Sequence, residues 1–113
     1  MYDPFHPGVL RVLQQIAVAT HAAGKSASIC GEIAGDHWFT PLLVGLGFRE
    51  LSMAPVFVPR VKLMLRSFTL SECQDLAKRA LGMPSTTAVR KLVQEEIQPR
   101  WAQQLGSGED ARR

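Results

Sequence analysis

Between residues 29 and 36 the chain reads Ile29-Cys30-Gly31-Glu32-Ile33-Ala34-Gly35-Asp36. A β-prone stretch, Ser26-Ala27-Ser28-Ile29, runs into the thiol. Two glycines and two carboxylates follow it, ahead of the helix-like stretch Trp38–Leu46. A cysteine at the end of a strand, before a glycine-bearing loop, stands where a parallel α/β sheet exposes its reactive side chains. Glu32 and Asp36 can be read as metal ligands or as groups that shape the loop, with Asp36 placed to cap the next helix. The second cysteine, Cys73, falls on an amphipathic helix pattern and reads as core. Neither cysteine belongs to a Cys-x-x-Cys pair and the three histidines are scattered, which argues against a zinc site. The N-terminus lacks the basic-then-apolar order of a secretion signal, so free thiols are expected rather than a disulfide.

The elements that must hold this block can be read outward from it. Pro7 suits the first turn of a helix, and Val9, Leu13, Ile16, Ala17 and Thr20 then recur at helical spacing up to a stop at Gly24. Lys25 through Cys30 is too short for a helix and reads as a buried strand. Gly31 to Asp36 reads as a loop. Pro41 would break a helix that began at Asp36, so either the helix starts at Thr40 with Pro41 in its first turn, or its first turn is distorted. Gly45 and Gly47 close it, and Glu50-Leu51-Ser52-Met53 is a second short strand. Pro59 opens a helix carrying Val61, Met64 and Leu65. Thr69 and Glu72 form a Thr-x-x-Glu capping box for a helix with Cys73, Leu76, Ala77 and Ala80 inward, ended by Gly82. Ser85 caps a last helix with Val89, Leu92, Val93 and Ile97 inward, which Pro99 kinks or ends. Residues 106–113 are polar and glycine-rich, and a frayed, disordered tail is expected there.

The two strands are joined through a helix, so they should be parallel. Two parallel strands alone make a poor sheet, because parallel sheets are normally covered by helices on both faces. Either the strands pair with another polypeptide, or this is the end of a larger α/β fold. The 113 residues allow about one domain, and 46% hydrophobic with 20% charged residues is ordinary for a globular chain. No apolar run approaches the ~20 residues of a membrane span, so the expected compartment is the cytoplasm, without membrane insertion. The formal net charge of +3 owes much to Arg60, Lys62, Arg66 and the terminal Arg112-Arg113. Arg60, Lys62 and Arg66 do not form one helical stripe interleaved with aromatics. They read as a solvated surface, not a nucleic-acid site.

Tyr2-Asp3-Pro4-Phe5-His6-Pro7-Gly8-Val9-Leu10-Arg11 resembles the Y-x-P-x-H-P-A-V-L-R segment of enzyme I of the phosphoenolpyruvate:sugar phosphotransferase system. Ala22-Ala23-Gly24-Lys25, Cys30-Gly31-Glu32-Ile33-Ala34-Gly35-Asp36, Leu51-Ser52-Met53 and Pro59-Arg60-Val61-Lys62 follow in the family's order. The resemblance covers residues 2–82, and more loosely the last helix. Val61 through Arg66 is also similar to the nitrogen-regulatory paralogue. Pyruvate phosphate dikinase shares a similar Cys-Gly-Glu block, but the N-terminal motif favours enzyme I. Trp38, Phe39, Pro41 and Pro55 depart from the family's pattern near the site.

The resemblance implies an α/β fold: the last quarter of a (β/α)8 TIM barrel, contributing two parallel strands, plus C-terminal helices. It places Ser26–Cys30 on the seventh strand and Glu50–Met53 on the eighth. Residues 1–105 would be the C-terminal part of the phosphoenolpyruvate-binding barrel domain. The family moves the phosphoryl group of phosphoenolpyruvate to a histidine and on to a phosphocarrier protein, leaving the enolate of pyruvate. The cysteine matching Cys30 is its proton donor, with Gly31 and Glu32 as candidates for lining the substrate pocket. A thiol of reference pKa ~8.5 is protonated at neutral pH and acidic enough to give its proton to a carbanion-like carbon. The complete family enzyme uses Mg²⁺, but its metal carboxylates lie on earlier strands, so this chain alone is expected to bind no metal. His6 and His21 are not expected to be the phosphorylated histidine, which belongs to a separate domain. The chain is therefore expected to be inactive on its own. The alternative is a non-catalytic module that pairs with a separate barrel remainder or self-associates, for example as a homodimer.

Overall fold

The structure, a computed structural model, describes residues 3–107. His6 is extended (φ −66°, ψ 129°) and its ring Nδ1 accepts the Gly8 N–H at 2.9 Å, so the chain enters helix α1, Pro7–Ala22, with Pro7 in its first turn. Leu10, Leu13 and Ala17 form its buried stripe. Ile16, expected to face inward, is 49% exposed, because it stands ~100° around the helix from Ala17. Gly24, at φ +77°, turns the chain toward strand β1, Ala27–Cys30.

The expected loop after Cys30 contains a single helical turn, α2, Glu32–Gly35. Asp36 Oδ1 accepts the Trp38 N–H at 3.0 Å, so it caps the turn leading toward the next helix and not the helix itself. That helix, α3, runs Thr40–Leu46 with Pro41 in its first turn, the first of the two alternatives. Gly47, at φ +118°, ends it and leads at once into strand β2, Phe48–Ser52, two residues earlier than the pattern suggested.

The strands pair in parallel, as their helical connection requires. Ala27 pairs with Phe48, but Ser28 pairs with Glu50, Ile29 with Leu51 and Cys30 with Ser52. Arg49 is thus an extra residue on β2, a bulge. The expectation of a fully buried first strand does not hold. Ala27 is buried, whereas Ser28 and Cys30 are exposed. Among the described residues, helices cover one face of the two-stranded ladder, and Ser28, Cys30, Glu50 and Ser52 on the other are exposed.

Beyond β2 a 3-10 turn, Pro55–Phe57, precedes α4, Val58–Arg66, which starts one residue ahead of Pro59. Arg60, Lys62 and Arg66 are exposed on it. Helix α5, Leu70–Leu81, has the expected reciprocal box: Glu72 N–H to Thr69 Oγ1 at 3.1 Å and Thr69 N–H to Glu72 Oε1 at 2.8 Å. Helix α6, Thr86–Glu96, is capped by Ser85, whose Oγ accepts the Ala88 N–H at 3.1 Å. The chain does not simply end at Pro99. A further helix, α7, runs Gln98–Ser107, and Pro99 sits in its first turn, where a missing N–H costs nothing. Residues 108–113, most of the expected tail, lie outside the described residues.

One hydrophobic core joins these elements. Leu10 of α1, Leu42 and Leu43 of α3, Phe48 of β2, Met64 of α4, Val89 of α6 and Ile97 are fully buried. Each such side chain contributes about 1.5–3 kcal/mol through burial. Phe39, also fully buried, meets Phe5 edge-on at 5.2 Å between ring centroids. The closest helix pair is α3 against α5. A Cβ on Gly45 would collide with the Cys73 carbonyl and lie 2.8 Å from the Ala77 Cβ, so glycine is what lets these helices touch.

Candidate functional site

The strand pair has two chemically distinct faces. Ala27, Ile29, Phe48 and Leu51 turn toward the helices, the outer pair buried and Ile29 and Leu51 packed partly buried against the core. Ser28, Cys30, Glu50 and Ser52 form the other face and are all exposed. The alternation follows from the period of two along each strand. It holds in register only because the bulge at Arg49 shifts β2 by one residue. The Arg49 guanidinium Nη1 donates to the Val44 carbonyl at 2.8 Å and to the Phe48 carbonyl at 3.2 Å, bracing that shift.

Cys30 is the last residue of β1, its thiol free and exposed. Gly31 follows at φ 94°, ψ −159°, a conformation open essentially to glycine alone. Its N–H donates to the Ser52 carbonyl at 3.2 Å, extending the ladder past the thiol. Gly31 therefore ends the strand and turns the backbone into α2 in one residue. Glu32 opens that turn and is exposed. Phe57 closes over the back of α2: a Cβ on Gly35 would stand 3.1 Å from its ring. Cys30, Gly31 and Glu32 are thus gathered at one strand end as expected, but on an open surface. The clefts lined by Phe5 and Trp38, by Phe68 and Glu72, and by His6 and Ile33 do not include them.

Cys73 is the counterexample. It is 2% exposed, packed on α5, and burial, helped by the neighbouring Glu72 charge, pushes its thiol up to about 11. Glu72 has the opposite shift. The Arg100 guanidinium, paired at 2.6 Å, and the Thr69 N–H hold its carboxyl down at about 2. Arg100 also donates to the Ser67 carbonyl and lies over the Phe68 ring, fastening α7 to α5.

A cleft of about 540 Å³ lies on another side, lined by Phe5, Asp36, Trp38, Arg90, Gln94 and Gln98 among others. Arg90 pairs with Asp3 Oδ2 at 2.6 Å, and its hydrogen bond holds the Asp3 carboxyl below its usual value. At Trp38, His37 joins a three-ring cluster, its centroid 4.6 Å from Trp38 and 4.4 Å from Trp101, with its ring tilted to both, and the two indoles meet edge-on at 6.0 Å. Burial there lowers the imidazole's pKa, with Asp36 opposing and Arg60 adding to the shift.

The other histidines have structural tasks. His6 caps α1, and His21, exposed near the end of α1, donates Nε2–H to the Gly47 carbonyl at 2.9 Å. Among the described residues, no three His, Cys, Asp or Glu side chains come together in a way that could hold a metal ion. Ser52 is a companion of Cys30 that the sequence does not announce. Its position depends on a one-residue bulge, for which a strand-like run of sequence carries no signal. No helix among the described residues is long and apolar enough to cross a membrane.

The family model for the PEP-utilising enzyme, PEP-binding domain, matches residues 1–70. The phosphoenolpyruvate-protein phosphotransferase of Haemophilus influenzae is 40% identical over 95 residues, covering 84% of this chain and 16% of that protein. That of Staphylococcus carnosus is 39% identical over 95 residues, 84% of this chain and 17% of that protein. The multiphosphoryl transfer protein of Escherichia coli O6:H1 is 39% identical over 104 residues, 88% of this chain and 12% of that protein. The chain thus spans less than a fifth of the length of these curated relatives.

Proposed function

The chain belongs to the PEP-utilising enzymes, and from that premise we propose that it carries the proton-donating strand end of a phosphoenolpyruvate–protein phosphotransferase. The observation that carries the reading is Cys30 itself, a free thiol at the C-terminal end of a parallel strand, exposed on a polar face and followed by Gly31 and a helical turn. In a barrel built from such strands that end is where reacting groups stand.

In the proposed reaction the P–O bond of phosphoenolpyruvate breaks and a histidine nitrogen takes the phosphoryl group, which passes on to a phosphocarrier protein. The electron pair left behind forms the enolate of pyruvate. The Cys30 S–H bond then breaks as a C–H bond forms at the enolate's terminal carbon, giving the methyl of pyruvate and a thiolate. Gly31 and Glu32 would border the reacting carbon. Ser28, Cys30, Glu50 and Ser52 would face the interior of a (β/α)8 barrel, and the helices its exterior. The resemblance places the family's Mg²⁺ carboxylates on earlier strands, so the reading gives this segment no metal ligand and no metal-dependent step.

The test is a chimera in which this chain replaces the matching segment of the Haemophilus influenzae relative. The chimera is expected to release pyruvate from phosphoenolpyruvate, and Cys30→Ser in it to lower the rate about 10²–10⁴-fold, the usual worth of a general acid. A Cys30→Ser chimera as fast as its parent contradicts the reading. The chain by itself is expected to release no pyruvate; Mg²⁺-dependent release by the purified chain would refute that part.

One observation favours a second reading, a non-catalytic module that pairs with a separate barrel remainder or with itself. Among the described residues the strand pair is open at both edges, and Val12, Ile16, Val56 and Phe57 are 40–73% exposed. Light scattering on the purified chain separates the cases: a stable monomer counts against self-association.

A further inference from the structure

The strand end carries a second group beside the thiol, and the role of that group rests on the reading of Cys30 as an acid. Continuing the Ala27–Phe48 pairing without interruption would set Cys30 beside Leu51. The insertion of Arg49 sets it beside Ser52. Bulges next to reactive groups re-aim side chains in this way. Paired residues of a parallel ladder project to the same side, and neighbouring strands lie about 4.8 Å apart. At that spacing a serine hydroxyl reaches a neighbouring Cβ thiol through a choice of rotamer. The pair is held at its last step by the Gly31 N–H on the Ser52 carbonyl at 3.2 Å. Behind, Arg49 ties the bulge to the end of α3 through the Val44 carbonyl. Both side chains are exposed, so no packing contact explains why a hydroxyl should stand there.

We infer that Ser52 is a positioning residue for Cys30, the register placing its hydroxyl where it can turn to donate a hydrogen bond to the sulfur as charge collects there. When the S–H bond breaks and the proton goes to the enolate carbon, negative charge collects on the sulfur. A donor fixed beside it stabilises that charge and holds the S–H on one heading. Leucine at the same station, as the unbulged register would have it, could do neither.

The test is alkylation of Cys30 by iodoacetamide in the full chain, followed by peptide mapping so that Cys73 is counted separately. Ser52→Ala is expected to slow Cys30 alkylation about threefold near pH 7. Ser52→Thr, which keeps the hydroxyl, is expected to restore the parental rate. Above pH 10 all three chains should react alike, since access to the sulfur is unchanged. A rate unchanged in Ser52→Ala overturns the inference. So does a slowing that persists at high pH, because that reports altered access and not a lost hydrogen bond. The inference and the proton-donor reading fail separately. An unchanged rate leaves the chimera result standing, and a Cys30→Ser chimera with full turnover removes the acid whatever Ser52 does.

Discussion

The two thiols of this chain stand in opposite surroundings. Cys73 lies where α5 presses on α3, 2% exposed, its ionisation suppressed by burial. Cys30 ends a strand and is exposed on the face turned away from the core. The helical half places its side chains by packing. The strand end places them by backbone geometry: a ladder hydrogen bond, a one-residue bulge braced by Arg49, and a glycine at positive φ. A region of the first kind answers to volume, and one of the second kind to backbone geometry. Substitutions can break or sharpen that distinction.

The largest effect is expected where packing is tightest. Gly45→Ala drives a methyl into the Cys73 carbonyl and against Ala77, and should destabilise the fold by about 3 kcal/mol through overpacking. Denaturant unfolding reads this directly, and a neutral result would mean that the α3–α5 contact is looser than described. At the other region Gly31→Ala meets no atom within 4 Å, so any cost is conformational. About 1–3 kcal/mol is expected from the φ 94°, ψ −159° backbone, together with altered Cys30 alkylation. An unchanged Gly31→Ala variant would show that the strand end does not need that turn.

A smaller effect belongs to the α5 cap. Thr69→Ala removes the acceptor for the Glu72 N–H and should cost about 1 kcal/mol by thermal unfolding, with Cys30 reactivity untouched. The pH dependence of the same corner comes from Glu72, held at about 2 first by Arg100 and then by the Thr69 N–H. A carboxyl depressed on folding contributes stability that is fully present above its ordinary value near 4.5 and is lost as pH falls through 2. Glu72→Gln should therefore lower the thermal midpoint at neutral pH, with the difference from the parent chain closing between pH 4.5 and 2. The pair is half-exposed, so salt should shrink the difference as well.

The two regions also differ in how much of them the sequence reveals. The helical half is legible because its signals are local. The Thr69–Glu72 box, the Ser85 cap and the inward run Cys73, Leu76, Ala77 and Ala80 all stand in the structure. Helix α7 is not legible, because Pro99 reads equally as a helix breaker and as a first-turn residue. Ile16 is misplaced by periodicity because two apolar stripes share α1, and spacing does not say which meets the core. At the strand end, Cys30 and Gly31 are legible from residue type and order. The exposure of β1 is not, because a short apolar run looks the same whether one face is covered or both. Ser52 as partner of Cys30 is not legible either, since register depends on the bulge at Arg49.

The most direct test counts thiols in the native chain with Ellman's reagent and maps the modified peptide. One rapid equivalent per chain is expected at Cys30, and a second, at Cys73, that appears only when the protein is unfolded. Two rapid equivalents, or a Cys30 that waits for unfolding alongside Cys73, would contradict the contrast between an open strand end and a packed helical half.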